Sequence, residues 1–157
     1  MPKDRIEILK RKKEWVRKIE ELGNVKLKIN ELVEVEGEPL DVYRAQNVLK
    51  ALARGFHIDD ALFLLDEQYR LEIINVKQYA KTRERMVELK GRVIGTKGKF
   101  KRIIEEFTGT KIAVHGKTIS IIGRWEDVEL ARQAIDMILR GAQHQTVYRF
   151  LELHRTH

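Results

Sequence analysis

Two glycines separated by two residues, Gly95 and Gly98, join an apolar pair to a basic amphipathic stretch in the run Val93-Ile94-Gly95-Thr96-Lys97-Gly98-Lys99-Phe100-Lys101-Arg102-Ile103-Ile104. A residue without a Cβ lets the main chain turn sharply and lie close against another backbone. A helix starting just after Gly98 would aim its unpaired N–H groups and the positive end of its dipole at the same spot. Lys97 lies inside the bend, and Lys99, Lys101 and Arg102 follow in the first turns of that helix. Bare backbone, free donors and cations are together what a sugar-phosphate strand needs. A Walker-type loop is excluded by spacing: it requires four residues between its first glycine and a Gly-Lys-Ser/Thr, whereas Gly98-Lys99 precedes Phe100 and position 93 is valine.

The surroundings give the bend a fold. The run Arg85-Met86-Val87-Glu88-Leu89 reads as a β-strand before it. After it come Gly109, a strand from Lys111 to Val114, a turn at His115-Gly116 and a strand from Thr118 to Ile122. A helix from Trp125 to Arg140 closes the unit, burying Val128, Ala131, Ile135 and Ile138 along one face. The order strand, helix, loop, helix, strand, strand, helix resembles a type I KH domain, in which a G-x-x-G loop clamps about four nucleotides. The expected class is α+β, with a three-stranded antiparallel sheet packed by helices.

Charge divides the chain unevenly. Net charge is +7 over 157 residues, yet residues 1–79 carry 15 Lys+Arg against 15 Asp+Glu, while residues 80–157 carry 16 against 9. The whole excess lies in the second half, as an electrostatic footprint around the glycine bend. A chain of this length holds one full domain or two small ones, and two are expected, 1–79 and 80–157. No apolar run approaches the roughly 20 residues that span a bilayer, and Met1-Pro2-Lys3-Asp4 begins no signal peptide, so a soluble, cytoplasmic protein is expected. The absence of cysteine agrees with that compartment and excludes disulfides and thiolate metal sites.

An offset of about 85 residues lays the two halves over each other. Ile19-Glu20-Glu21-Leu22 falls on Ile104-Glu105-Glu106-Phe107, and Lys26-Leu27 on Lys111-Ile112. Asp41-Val42, Ala45, Leu49, Leu52 and Gly55 fall on Asp127-Val128, Ala131, Ile135, Ile138 and Gly141. Both halves therefore read as KH-like units, each with an added C-terminal helix, Ile58 to Asp66 in the first and Gln143 to His154 in the second. In the same register Lys10-Arg11-Lys12-Lys13 replaces the glycine bend. The first unit is thus a degenerate copy, its four cations a secondary basic patch at most. Its hairpin carries Glu31, Glu34, Glu36, Glu38 and Asp41, an acidic rim that would repel RNA and suits a protein partner or the other unit's basic surface.

The expected RNA-contacting set is Arg92, Val93, Ile94, Gly95, Thr96, Lys97, Gly98, Lys99, Lys101, Arg102, Ile112 and Val114. Phosphates would meet positions 95 to 99, and bases would lie against Val93, Ile94, Ile103 or Ile104, Ile112 and Val114. Lys101, where most KH domains have an aliphatic, would make the groove floor more polar. Catalysis has little support: the five histidines are scattered, and His154-x-x-His157 has no further converging ligands. No metal, cofactor or catalytic residue is expected.

With both units placed, Lys90-Gly91-Arg92-Val93-Ile94-Gly95-Thr96-Lys97-Gly98-Lys99, Ile121-Ile122-Gly123, Ala131-Arg132-Gln133-Ala134-Ile135 and Val147-Tyr148 resemble the archaeal and eukaryotic "partner of Nob" family of tandem KH ribosome assembly factors. Lys101 is similar to that family's pattern. The resemblance implies a factor that binds the 3′ end region of small-subunit (16S-type) rRNA and assists its maturation. It also implies as partners the Nob endonuclease, the rRNA dimethyladenosine methyltransferase and the alpha subunit of translation initiation factor 2. The alternatives are a general single-stranded nucleic-acid binder, such as an exosome-associated KH protein, and a protein adaptor in translation.

Overall fold

A computed structural model of the chain describes residues 3–155. The signal-peptide reading at Met1-Pro2 and the pairing of His154 with His157 rest on positions outside the described residues. The chain divides into two compact units between Tyr69 and Arg70.

The first unit runs α1 (Lys3–Arg11), α2 (Lys13–Gly23), β1 (Lys26–Ile29), β2 (Val33–Glu36), α3 (Pro39–Ala53) and α4 (Ile58–Ala61), with a 3-10 turn over Leu62–Leu65. Its core is Ile6, Leu9, Ile19, Val25, Ala45, Val48, Leu49, Leu52, Phe56, Ile58 and Leu64. β1 and β2 form an antiparallel hairpin pairing Lys26 with Glu36 and Ile29 with Val33. The expected third strand is not found among the described residues, because the chain ahead of this hairpin is helical from Lys3. The added helix expected over Ile58–Asp66 is one short helix that tightens into the 3-10 turn.

The second unit runs β3 (Tyr69–Asn75), a 3-10 turn over Val76–Gln78, α5 (Arg83–Ile94), a 3-10 turn over Thr96–Gly98, α6 (Lys99–Thr108), β4 (Lys111–His115), β5 (Thr118–Arg124), α7 (Trp125–Leu139) and α8 (His144–Leu153). Its three-stranded sheet has the order β3-β5-β4, with β4 and β5 antiparallel. The central β5 is buried from Thr118 to Gly123, and α7 lays Val128, Ala131, Ala134, Ile135 and Ile138 into the core. Spacing of three, four and seven residues puts those side chains on one helical face. This is a KH-like fold.

One expectation about this unit is overturned. Arg85–Leu89 is not a strand: it lies inside α5, which Thr82 caps by accepting the Arg85 N–H at 3.1 Å. Arg85 and Glu88 pair at 2.9 Å, and the buried residues Leu89 and Val93 are four apart. Both are helix spacings. The unit's leading strand is β3, ahead of Tyr79, so the second compact unit starts about ten residues earlier than the charge division.

Candidate nucleic-acid interface

The Gly95–Gly98 bend is exposed at the junction of α5 and α6 and is held in one conformation by its own backbone. Gly95 has φ 76°, ψ 176°, a region open essentially to glycine. A Cβ there would come within 2.7 Å of the Phe100 Cβ and 2.8 Å of its main-chain nitrogen. Lys97 (φ 55°) and Gly98 (φ 75°) are both left-handed. For lysine that conformation costs about 1 kcal/mol. It is secured by the Arg102 guanidinium, which donates to the Lys97 carbonyl at 3.1 Å, and by the Gly98 N–H on the Gly95 carbonyl at 3.1 Å.

The anchor beneath the bend is aromatic. Phe100, 1% exposed, stacks on His144 at a centroid distance of 4.1 Å and packs against Tyr148 at 5.5 Å. The His144 Nε2 also lies 3.0 Å from the Arg92 carbonyl. One side chain at the start of α8 thus touches both sides of the bend. The helix expected from Gln143 to His154 serves here as a brace.

Electrostatics favour an anion at this point. The first turn of α6 holds no acidic residue, and Lys99, Lys101 and Arg102 all fall near its N-terminus. Cations there oppose the helix dipole. The start of α7, by contrast, carries Glu126 and Asp127. Thr96, Lys97, Lys99 and Arg102 are exposed, and Ile94, Ile103 and Val114 are half-buried aliphatics on the elements beside the bend. These residues form the candidate surface.

Other members of the expected set are engaged within the fold. Val93 and Ile112 are buried in the core. The Arg92 guanidinium donates to the carbonyls of Ala142 at 2.7 Å and Ile138 at 3.3 Å, tying α5 to the α7–α8 corner. Lys101 Nζ donates to the Ile112 carbonyl at 3.1 Å and lies 3.5 Å from Glu105, whose carboxylate accepts the Ile112 N–H at 2.9 Å. Lys101 is therefore fixed at the seam between α6 and β4. Lys90, outside the expected set, donates to the Gly116 carbonyl at 2.8 Å and so holds the β4–β5 turn against α5.

Among the described residues, the first unit has no comparable bend. Lys10 and Arg11 end α1, Lys13 begins α2, and only Lys12 (φ −94°) lies between them. Lys10 pairs with Glu7 at 3.5 Å, and Lys12 Nζ stands 5.7 Å from the Trp15 ring. All four cations are exposed. Among the described residues no group of His, Asp or Glu could hold a metal ion, and no helix is long and apolar enough to cross a membrane.

Residues 70–156 match the family model for the second domain of PNO1, described as a eukaryotic-type KH domain (KH-domain type I). A KH domain-containing protein of Methanocaldococcus jannaschii is 42% identical over 99% of this chain and 72% of its own length. The pre-rRNA-processing protein PNO1 of Chaetomium thermophilum is 35% identical over 67% of this chain, which spans only 42% of that longer protein. Among solved structures, a complex of a/eIF2alpha, aDim2p and rRNA from Pyrococcus horikoshii contains a chain that superposes with a TM-score of 0.87 at 37% identity, covering 98% of this chain and 90% of that one.

Proposed function

This chain belongs to the PNO1/Dim2 family of KH-domain proteins, and on that footing we propose that it is an RNA-binding ribosome assembly factor whose second unit holds single-stranded RNA from the 3′ end region of small-subunit rRNA. The observation that carries this reading is the preset bend at Gly95–Gly98 with exposed Lys99 and Arg102 at the start of α6, whose first turn holds no acidic residue. Phosphates meet the backbone from Gly95 to Lys99, and bases lie against the half-buried Ile94, Ile103 and Val114. Arg92 and Lys101 act on this surface by positioning it.

The first unit is the degenerate KH copy in this reading. It repeats the order helix, helix, strand, strand, helix without the bend, and it presents Leu22, Leu32, Leu40, Tyr43 and Phe63 to solvent, while Lys26 and Lys28 face Glu36 and Glu34 across its hairpin, which is therefore mixed in charge rather than acidic. Such a surface suits protein partners. The alpha subunit of initiation factor 2 is the first to test, because an aDim2p relative was solved with a/eIF2alpha and rRNA. The Nob endonuclease and the dimethyladenosine methyltransferase follow from the family's role in pre-rRNA processing.

Competition binding tests the function. Labelled RNA covering the small-subunit rRNA 3′ end should be displaced by its unlabelled copy far more readily than by a scrambled strand of equal length. Equal displacement would reduce the protein to a general single-strand binder.

A further inference from the structure

At the other end of α5 from the glycine bend lies a second group of cations, drawn from three separate stretches of the chain. Some bases of this unit have carboxylates nearby: Arg85 pairs with Glu88, Arg132 with Glu129, Arg140 with Asp136 and Lys101 with Glu105. Lys77, Arg83 and Lys117 are exposed and have no such partner among the described residues. They are nevertheless brought together. The Val76 N–H donates to the Lys117 carbonyl at 2.9 Å, which pins the β4–β5 turn to the end of β3 and sets Lys117 beside Lys77. Lys77, as hydrogen-bond neighbour and like charge, holds the Lys117 ammonium below the usual lysine range, and Arg83 adds to the repulsion.

Arg83 is also the first residue of α5, where the helix dipole is already positive. Three cations held together with no carboxylate among the described residues paired to them, Glu84 in the same first turn included, raise the local potential unless an anion joins them. Thr82 caps the Arg85 N–H, and Lys90, midway along α5, keeps the same turn in place through the Gly116 carbonyl. The turn itself is open at its tip, since Gly116 has φ +57° and nothing within 4 Å of where a Cβ would be.

We propose that Lys77, Arg83 and Lys117 form a second backbone-binding site for single-stranded RNA, one that takes the phosphates of nucleotides beyond those held at the glycine bend. The two sites lie at opposite ends of the 12-residue α5, about 18 Å apart at 1.5 Å per residue. A KH groove holds about four nucleotides, so a strand of that length occupies the bend and a longer one reaches the cluster. The proposal rests on RNA binding at the bend, and its effect is on affinity and salt dependence rather than on base choice.

The test compares a four-nucleotide and a ten-nucleotide labelled RNA, binding the full chain and its Lys77→Ala/Arg83→Ala/Lys117→Ala variant over a range of salt. For the longer RNA the variant should bind about tenfold more weakly, and the slope of log affinity against log salt should fall by about 2, the value for three released phosphate contacts on a single strand. The shorter RNA should bind both proteins equally. Equal affinity and slope for the longer RNA would overturn the second site while leaving the bend intact. Loss on both RNAs would make the cluster part of the clamp and overturn it as a separate site. If the unaltered chain binds neither RNA, the functional reading falls and this one with it. A milder Lys77→Gln/Lys117→Gln variant should show the same pattern at about two-thirds of the slope change, which guards against a folding defect in the triple variant.

Discussion

Glu105 accepts the main-chain N–H of Ile112 at 2.9 Å, closing the corner where α6 gives way to β4. The first unit repeats the bond: Glu20 accepts the Leu27 N–H at 2.9 Å. The turns around the two glutamates match as well, with Asn24 and Gly109 both left-handed caps and Val25 and Thr110 both donating to the carbonyl of the respective glutamate at 3.2 Å. The same hydrogen-bonded corner therefore occurs in both units. Glu105→Ala should destabilise the second unit by about 1–3 kcal/mol, because it strands a main-chain donor beside a buried residue. Glu105→Gln keeps an acceptor and should cost clearly less. Thermal melts of the two variants check this, and equal losses would show that the bond is not what holds the corner.

The two glycines of the bend should not be equivalent. Gly95→Ala meets both a forbidden backbone region and a Cβ contact of 2.7 Å with Phe100, and should cost more than about 2 kcal/mol. Gly98→Ala meets only the left-handed penalty, since the nearest atom is the Arg102 Nη1 at 3.7 Å, and should cost about 1 kcal/mol. Chemical denaturation ranks them. An inverted order would mean that the bend relaxes away from Phe100.

Arg92 and Lys99 should separate stability from binding. Arg92→Ala removes two guanidinium donors from the carbonyls of Ile138 and Ala142 and should lower the melting temperature by several degrees. Lys99→Ala, at an exposed position on the first turn of α6, should leave the melting temperature within about a degree while lowering RNA affinity several-fold. Paired melts and titrations decide the matter. The expectation fails if both substitutions move the same quantity.

One acid transition is assigned to a single carboxylate. The hydrogen bond from Arg132 and then that from Gln133 lower Glu129 from the ordinary 4.5 to about 2. A depressed carboxylate contributes stability that is fully present above its unfolded pKa and is lost as pH falls through the folded one. The melting-temperature gap between the native chain and Glu129→Gln should therefore be constant above about pH 5 and close by about pH 2. Because the Glu129 side chain is 44% exposed, the effect should stay below about 1 kcal/mol. A gap that widens on acidification would contradict the assignment.

What could be read in advance followed local rules. Gly95 and Gly98 announce themselves because few residues tolerate their backbone angles, and α7 does so because its apolar spacing spans four turns. Arg85–Leu89 misleads because five residues of mixed polarity fit both periods, and Thr82 as a helix cap decides for the helix. The tasks of Arg92 and His144 are out of reach of local pattern. Arg92 binds carbonyls 46 and 50 residues away, and His144 meets the Arg92 carbonyl 52 residues away. From sequence, a cation beside a glycine bend shows only its charge, and its partners in space show what else it holds. Lys77 and Lys117 are also far apart in the chain, and only the pairing of β4 with β5 beside the end of β3 brings them together.

Whether the exposed bend meets RNA decides the function. The most direct measurement is an RNA titration of the Thr96→Asp/Lys97→Asp double variant, two exposed positions whose replacement puts carboxylates where phosphates are expected. With the melting temperature close to native, affinity for the small-subunit rRNA 3′ end should fall roughly 100-fold or more as two contacts turn into repulsions. Native affinity in a folded double variant would place the RNA on another surface and contradict the account.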